Sequence, residues 1–128
     1  KGGENVACHE QDATALQFDD NRFDLGILSF ALHEKPEEDA KKIIQEARRV
    51  IRSGGHLVLA DYTFDPQAKF PVKMAIHAVE KLAGKEHYRH FKRYIQFGGM
   101  DHLMKGCSFT KEFRLHQKAT GIRIYALD

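Results

Sequence analysis

The side chains able to do chemistry in this 128-residue chain fall in four short stretches. Asp12-Ala13 follows Val6–Glu10, where a short strand is expected. Ser29-Phe30 closes a longer apolar run that starts at Phe23, and His33-Glu34 comes directly after it. Asp61-Tyr62 closes a second run, His56–Tyr62. A histidine beside acids, with a pKa near neutrality, can orient a hydroxyl or take a proton. Each stretch also has a plainer reading. Asp12 suits a turn, Ser29 and Phe30 suit strand-end packing, His33 suits a helix cap, and Asp61 and Tyr62 suit a loop hydrogen bond.

Other constellations are weaker. His87 and His90 stand at i, i+3 on a helical stretch, with His77 or His102 as conceivable neighbours. A metal centre needs further ligands in fixed geometry, so these read as solvated helix residues and no metal is expected. Glu37, Glu38 and Asp39 are helix-start charges rather than an acid/base pair. No GxSxG, P-loop or HExxH string is present. A net charge of +2, with the densest basic cluster (Lys85 to Arg93) interrupted by Glu86, does not suggest a nucleic-acid partner. Cys8 and Cys107 are far apart and read as free thiols of a reducing cytoplasm. No secretory signal or membrane span is visible, and a cytoplasmic location is expected.

The elements that must position these residues follow from spacing. Phe23 to Phe30 is almost continuously apolar, as in a strand buried on both faces. Pro36 and the acids after it open a helix, whose apolar positions Ala40, Ile43, Ile44, Ala47, Val50 and Ile51 keep a 3.6-residue period. Ser53-Gly54-Gly55 is expected to stop it with a left-handed cap. His56 to Tyr62 is the next strand. Strand, helix and strand with short links form a βαβ unit, which implies a right-handed crossover and parallel pairing. Pro66 and Pro71 bound a loop. Helices are expected at Val72 to Ala83, Glu86 to Phe97 and Met100 to Lys105. A C-terminal antiparallel hairpin is expected from Phe109 to His116 and Gly121 to Leu127. In open α/β sheets ligands gather outside the carboxyl ends of the strands, which is where Asp12, Ser29, Phe30, His33, Asp61 and Tyr62 would stand.

Several pieces together carry a resemblance. They are Asp12-Ala13-Thr14-Ala15-Leu16 with Phe18 and Asp20, Arg22-Phe23-Asp24-Leu25, Phe30-Ala31-Leu32-His33, and the string Glu46 to Leu57 (EARRVIRSGGHL). In their order and spacing the chain resembles the C-terminal part of a class I S-adenosylmethionine-dependent methyltransferase. It looks like the small-molecule kind related to ubiquinone and menaquinone biosynthesis. The resemblance implies an α/β, three-layer Rossmann-like sheet, truncated at the N-terminus, with residues 1–128 supplying strands 3 to 7 of the family order 3-2-1-4-5-7-6. The family's glycine-rich cofactor loop and the acidic residue after its second strand have no counterpart here. S-adenosylmethionine is the implied cofactor, with Asp12 on the adenine amino group, the Ala13 amide on a ring nitrogen, and Ser29 and Phe30 beside the methionine portion. His33, Asp61 and Tyr62 would face a small or lipid-like methyl acceptor. No catalytic base is implied, since methyl transfer from a sulfonium depends mainly on alignment.

Without strands 1 and 2, Phe23 to Phe30 becomes an open apolar edge, a template for pairing. It is expected to pair with a second copy, with the N-terminal segment, or with a missing N-terminal half. The alternative function is a non-catalytic remnant, a binding or assembly module that keeps the scaffold without holding the cofactor.

Overall fold

The computed structural model describes residues 5–63, 70–117 and 119–128. Its elements run β1 (Phe23–Ser29), α1 (Glu37–Val50), β2 (Ile51–Tyr62), α2 (Phe70–Leu82), α3 (Lys85–Phe97), α4 (Gly99–Leu103), β3 (Lys111–Gln117) and β4 (Thr120–Ala126). The four strands form one open sheet in the order β1-β2-β4-β3. β1 and β2 are parallel, with Leu25 opposite His56 and Ser29 opposite Ala60. β4 runs antiparallel to both β2 and β3. This is the 4-5-7-6 portion of the order that the resemblance implies, and the α/β class and the C-terminal hairpin stand as expected. The expected strand at Val6–Glu10 does not form among the described residues. In the family order two strands separate it from β1, so among the described residues no strand lies beside it to complete its backbone hydrogen bonds.

α1 follows its sequence closely. Pro36 precedes its first turn, Glu37, Glu38 and Asp39 occupy that turn, and Arg48 and Arg49 occupy the last. These charges complement the helix dipole. Ala40, Ile43, Ile44, Ala47 and Val50 are buried, and they pack on Leu57, Leu59 and Tyr125 of the sheet.

The stop signal works differently from expectation. α1 ends at Val50, and Ile51 is already extended, with φ −88° and ψ 132°. The glycines are not a helix cap. They sit inside β2, where the register with β1 slips between Phe23 and Leu25. Gly54 has φ +73°, and a Cβ on Gly55 would lie 2.6 Å from Ile51 Cγ2 and 2.8 Å from the carbonyl oxygens of Arg52 and Asp24. Only glycine fits so close an approach in a bulged strand. The bulge is tied to the end of the chain, where Gly54 N–H donates to Leu127 O and Leu127 N–H donates to Gly55 O.

The described residues supply two of the three layers. Leu57 and Leu59 are fully buried under the helices. On the opposite face, Leu25 and Ile27 of β1 and Phe113 and Leu115 of β3 are 50–62 % exposed. β1 was expected to be buried on both faces; here only its Gly26 and Leu28 side meets packed neighbours. α2 departs most from its pattern. Its apolar residues Phe70, Met74, Val79 and Leu82 are exposed, and its one buried side chain is Glu80.

Candidate functional site

The parallel pairing of β1 and β2 brings Ser29-Phe30 and Asp61-Tyr62 to the same sheet edge. Phe30 leaves β1 with φ +50°. A bulky side chain rarely takes this left-handed conformation, which costs on the order of 1–3 kcal/mol and marks edges where chemistry is positioned. Phe30 N–H donates to Ala60 O at 2.7 Å, and its ring stands edge-on to Tyr62 at 5.3 Å. The turn carries the chain down into the core, where Leu32 and His33 are buried.

Asp61 is 1 % exposed and is the hub of the edge. Its Oδ2 accepts from the Leu32 and His33 N–H groups at 3.1 and 3.2 Å. Its Oδ1 accepts from Tyr62 N–H at 2.8 Å and meets His33 Nδ1 at 2.7 Å. A buried acid is tolerable when its oxygens are this fully hydrogen-bonded. The arrangement also sets the imidazole. Nδ1 carries the proton given to Asp61, and Nε2 turns toward Glu80, 3.6 Å from Oε2. Burial pulls the His33 pKa down, but the Asp61 hydrogen bond and the charges of Asp61, Glu80 and Glu34 outweigh it, and the net direction is upward.

Glu80 reaches this point from the last turn of α2 and His87 from the first turn of α3. His87 Nε2 is in direct contact with Glu80 Oε2, and its Nδ1 lies 3.5 Å from Glu34 Oε2. The Tyr62 hydroxyl also contacts Glu80, and burial, then the Glu80 charge, raise its pKa. Edge-on aromatic contacts wall the imidazole of His33, with Tyr62 at 4.8 Å and Phe91 at 6.1 Å.

Of the residues singled out from sequence, Phe30, His33, Asp61 and Tyr62 converge here, with Ser29 exposed at the strand end beside them. Asp12 and Ala13 lie in a separate exposed turn. There Asp12 Oδ1 accepts from Thr14 N–H at 2.8 Å and from Thr14 Oγ1 at 2.7 Å, and these bonds lower its pKa. Asp12 is thus a turn residue, as its plainer reading has it. The segment is held from α1. Arg49 donates to Leu16 O, Phe18 O, Asp20 and Glu46, and Glu46 accepts from Leu16 N–H. Sequence reasoning placed Arg49 within the Glu46 to Leu57 string and gave it no partner. It missed Glu80 altogether, although an acid four residues after Ile76, on the apolar stripe of α2, is the signal that betrays it. His90 stays out of the cluster. It lines a separate cavity of about 580 Å³ between the start of α1 and α3–α4, which none of His33, Asp61, Tyr62 or Glu80 borders. The expected acceptor-side loop Thr63 to Phe70 falls mostly at 64–69, outside the described residues.

Residues 1–59 match the family model of a methyltransferase domain. Over that stretch the chain is similar to methyltransferase domains. The chain is 34 % identical over 79 residues to demethylmenaquinone methyltransferase of Bacteroides fragilis, a match covering 62 % of this chain and 31 % of that relative. It is 27 % identical over 110 residues to the ubiquinone/menaquinone biosynthesis C-methyltransferase of Yersinia pestis, covering 80 % of this chain and 43 % of the relative. The matched stretch is thus under half the length of these curated relatives. Solved structures of similar fold include a protein of Pyrococcus horikoshii (TM-score 0.65, 18 % identity, 97 % of this chain and 60 % of the other). Another is human N-acetylserotonin methyltransferase in complex with S-adenosylmethionine (TM-score 0.64, 14 % identity, 99 % and 35 %). Among the described residues no helix is long and apolar enough to cross a membrane.

Proposed function

We propose that this chain acts as part of a longer enzyme that transfers a methyl group from S-adenosylmethionine to a small or lipid-like acceptor of the quinone class, in the cytoplasm. The observation that carries the reading is the β1–β2 edge. There the left-handed Phe30 and the buried His33–Asp61 pair meet beside Tyr62, at the carboxyl ends of parallel strands where such sheets bind ligands.

S-adenosylmethionine supplies an electrophilic methyl group on a sulfonium. The residues of this chain hold and orient. Asp12 offers a hydrogen-bond acceptor to the adenine amino group, with the Ala13 amide beside it. Ser29 and Phe30 line the methionine side. His33, Asp61 and Tyr62 face the acceptor, and the Asp61 carboxylate locks the His33 ring so that its orientation is fixed before the acceptor arrives. Alignment accounts for the rate gain, so no residue is assigned as a general base.

A second reading has its own support. The exposed β1 residues Leu25 and Ile27 stand at a sheet edge where β1 pairs only with β2 among the described residues. An open apolar edge of this kind suits an assembly module, or pairing with a second copy. In the first reading the upstream portion of the same polypeptide covers it instead. Transfer of labelled methyl groups from S-adenosylmethionine to a demethylated quinol, by the longest natural polypeptide containing this chain, separates the two. The enzyme reading expects transfer that falls at least tenfold in Asp12→Ala. An inert polypeptide whose residues 1–128 dimerise through β1 overturns it.

A further inference from the structure

We propose that His33, Glu80 and His87 form a binding site for a divalent cation of the zinc class. One ligand atom from each lies within 4.8 Å of the others. They come from three separate elements: the loop after β1, the end of α2 and the start of α3. The proposal goes beyond the methyl-transfer reading and does not depend on it.

Three observations carry it. The first is the orientation of the rings. A metal-bound imidazole commonly gives its second nitrogen to a carboxylate, which fixes the ring and its tautomer. His33 Nδ1 lies 2.7 Å from Asp61 Oδ1, and His87 Nδ1 lies 3.5 Å from Glu34 Oε2. Both Nε2 atoms therefore turn inward to the same carboxylate oxygen, Glu80 Oε2.

The second is the spacing. His33 Nε2 and Glu80 Oε2 face each other 3.6 Å apart, beyond hydrogen-bond distance. Ligand atoms of a tetrahedral zinc centre stand roughly 3.4 Å apart, given bonds of about 2.0–2.2 Å. A cation fits between these two atoms almost without movement. Only His87, now in direct contact with Glu80, has to draw back.

The third is the burial of Glu80. It is 4 % exposed on a helix that leaves Phe70, Met74, Val79 and Leu82 in solvent. Propensity and the hydrophobic effect would turn α2 the other way round. What holds its acid inward is the pair of imidazoles together with the Tyr62 hydroxyl, and buried charges persist in proteins when they are paired or coordinate metals. Two imidazoles and one carboxylate leave the fourth position of a tetrahedral centre free, for water or for an oxygen of a ligand. The free thiols Cys8 and Cys107 take no part in the cluster.

The test titrates Zn²⁺ into the metal-free chain by calorimetry, with Co²⁺ as a spectroscopic probe of geometry. The expected result is one Zn²⁺ per chain and a tetrahedral cobalt spectrum. Affinity should fall at least ~100-fold in Glu80→Gln and in His87→Ala, and about 10–100-fold in Asp61→Asn, which acts only through His33. His90→Ala, one turn from the cluster, should bind as the parent does. Absence of saturable binding overturns the proposal. So does binding that survives both Glu80→Gln and His87→Ala, or a loss in His90→Ala equal to theirs. Circular dichroism confirms that each variant is folded, and the cobalt spectrum of the unsubstituted chain decides the matter if one is not.

Discussion

On one face of the sheet Leu57, Leu59 and Tyr125 lie sealed under α1 and α4. On the other, Leu25, Ile27, Phe113 and Leu115 keep half or more of their surface in solvent. Both faces are apolar in sequence, yet among the described residues only one has a layer to bury it. The covered face therefore supplies the cohesion of the chain. At its edge it carries a buried Asp61–His33 pair in which both Asp61 oxygens are hydrogen-bonded. The uncovered face and the free edge of β1 are what a partner layer would complete, in keeping with a chain whose matched stretch is 31 % of its Bacteroides relative.

This contrast is easily broken by substitution. Leu57→Ala should destabilise the chain by about 2–5 kcal/mol, as truncations in packed cores do, while Ile27→Ala should stay within about 0.5 kcal/mol. Urea unfolding measures both, and equal losses would mean that the second face is packed after all. In the longer natural polypeptide the Ile27→Ala loss should grow to the core value if an upstream layer covers the face.

Asp61→Ala comes next, at about 3 kcal/mol, because it strands the buried N–H groups of Leu32 and His33 together with the His33 ring. A cost near zero would show that the edge is not organised by this carboxylate. Arg49→Ala should leave global stability less affected and act locally, speeding amide exchange at Leu16 as Glu46 loses its guanidinium partner. Unchanged exchange there would mean that Glu46 holds the segment alone.

The smallest effect is on the exposed rim. A hydrogen bond from Lys41, then one from His102, lowers the Glu37 pKa from 4.5 to about 2. The folded value lies below the unfolded one, so the stabilisation is complete above pH 4.5 and is lost as pH falls toward 2. Thermal melts of the parent and Glu37→Gln should differ slightly at pH 7 and converge across that interval. Melting curves that stay apart at pH 2 would contradict the assignment.

The sheet was legible in the sequence wherever local pattern and tertiary environment agree. The period of α1, the apolar runs of β1 and β2 and the alternation of the hairpin each name one element, and the βαβ order fixes their pairing. The failures have physical causes. Val6–Glu10 has strand composition but no neighbour among the described residues to pair with. Gly54 and Gly55 read as a helix stop because a cap and a strand bulge ask for the same residue. α2 has the spacing of a buried helix, but its orientation is set by Glu80, whose partners lie 47 residues upstream at His33 and across the next turn at His87. No local pattern contains a contact of that range. The same limit applies to the site. His33, Asp61 and Tyr62 were legible because they close strands, whereas Glu80 sits mid-pattern on a helix. The Asp12 turn could be read from its own four residues.

The most direct measurement is calorimetric titration of S-adenosylmethionine into residues 1–128 and, in parallel, into the longest natural polypeptide that contains them. The account predicts saturable binding by the longer polypeptide, weakened by Asp12→Ala, and none by residues 1–128, whose second face and β1 edge lie open. Equal binding by both would contradict the claim that a further layer completes the cofactor site, and no binding by either would contradict the methyltransferase reading itself.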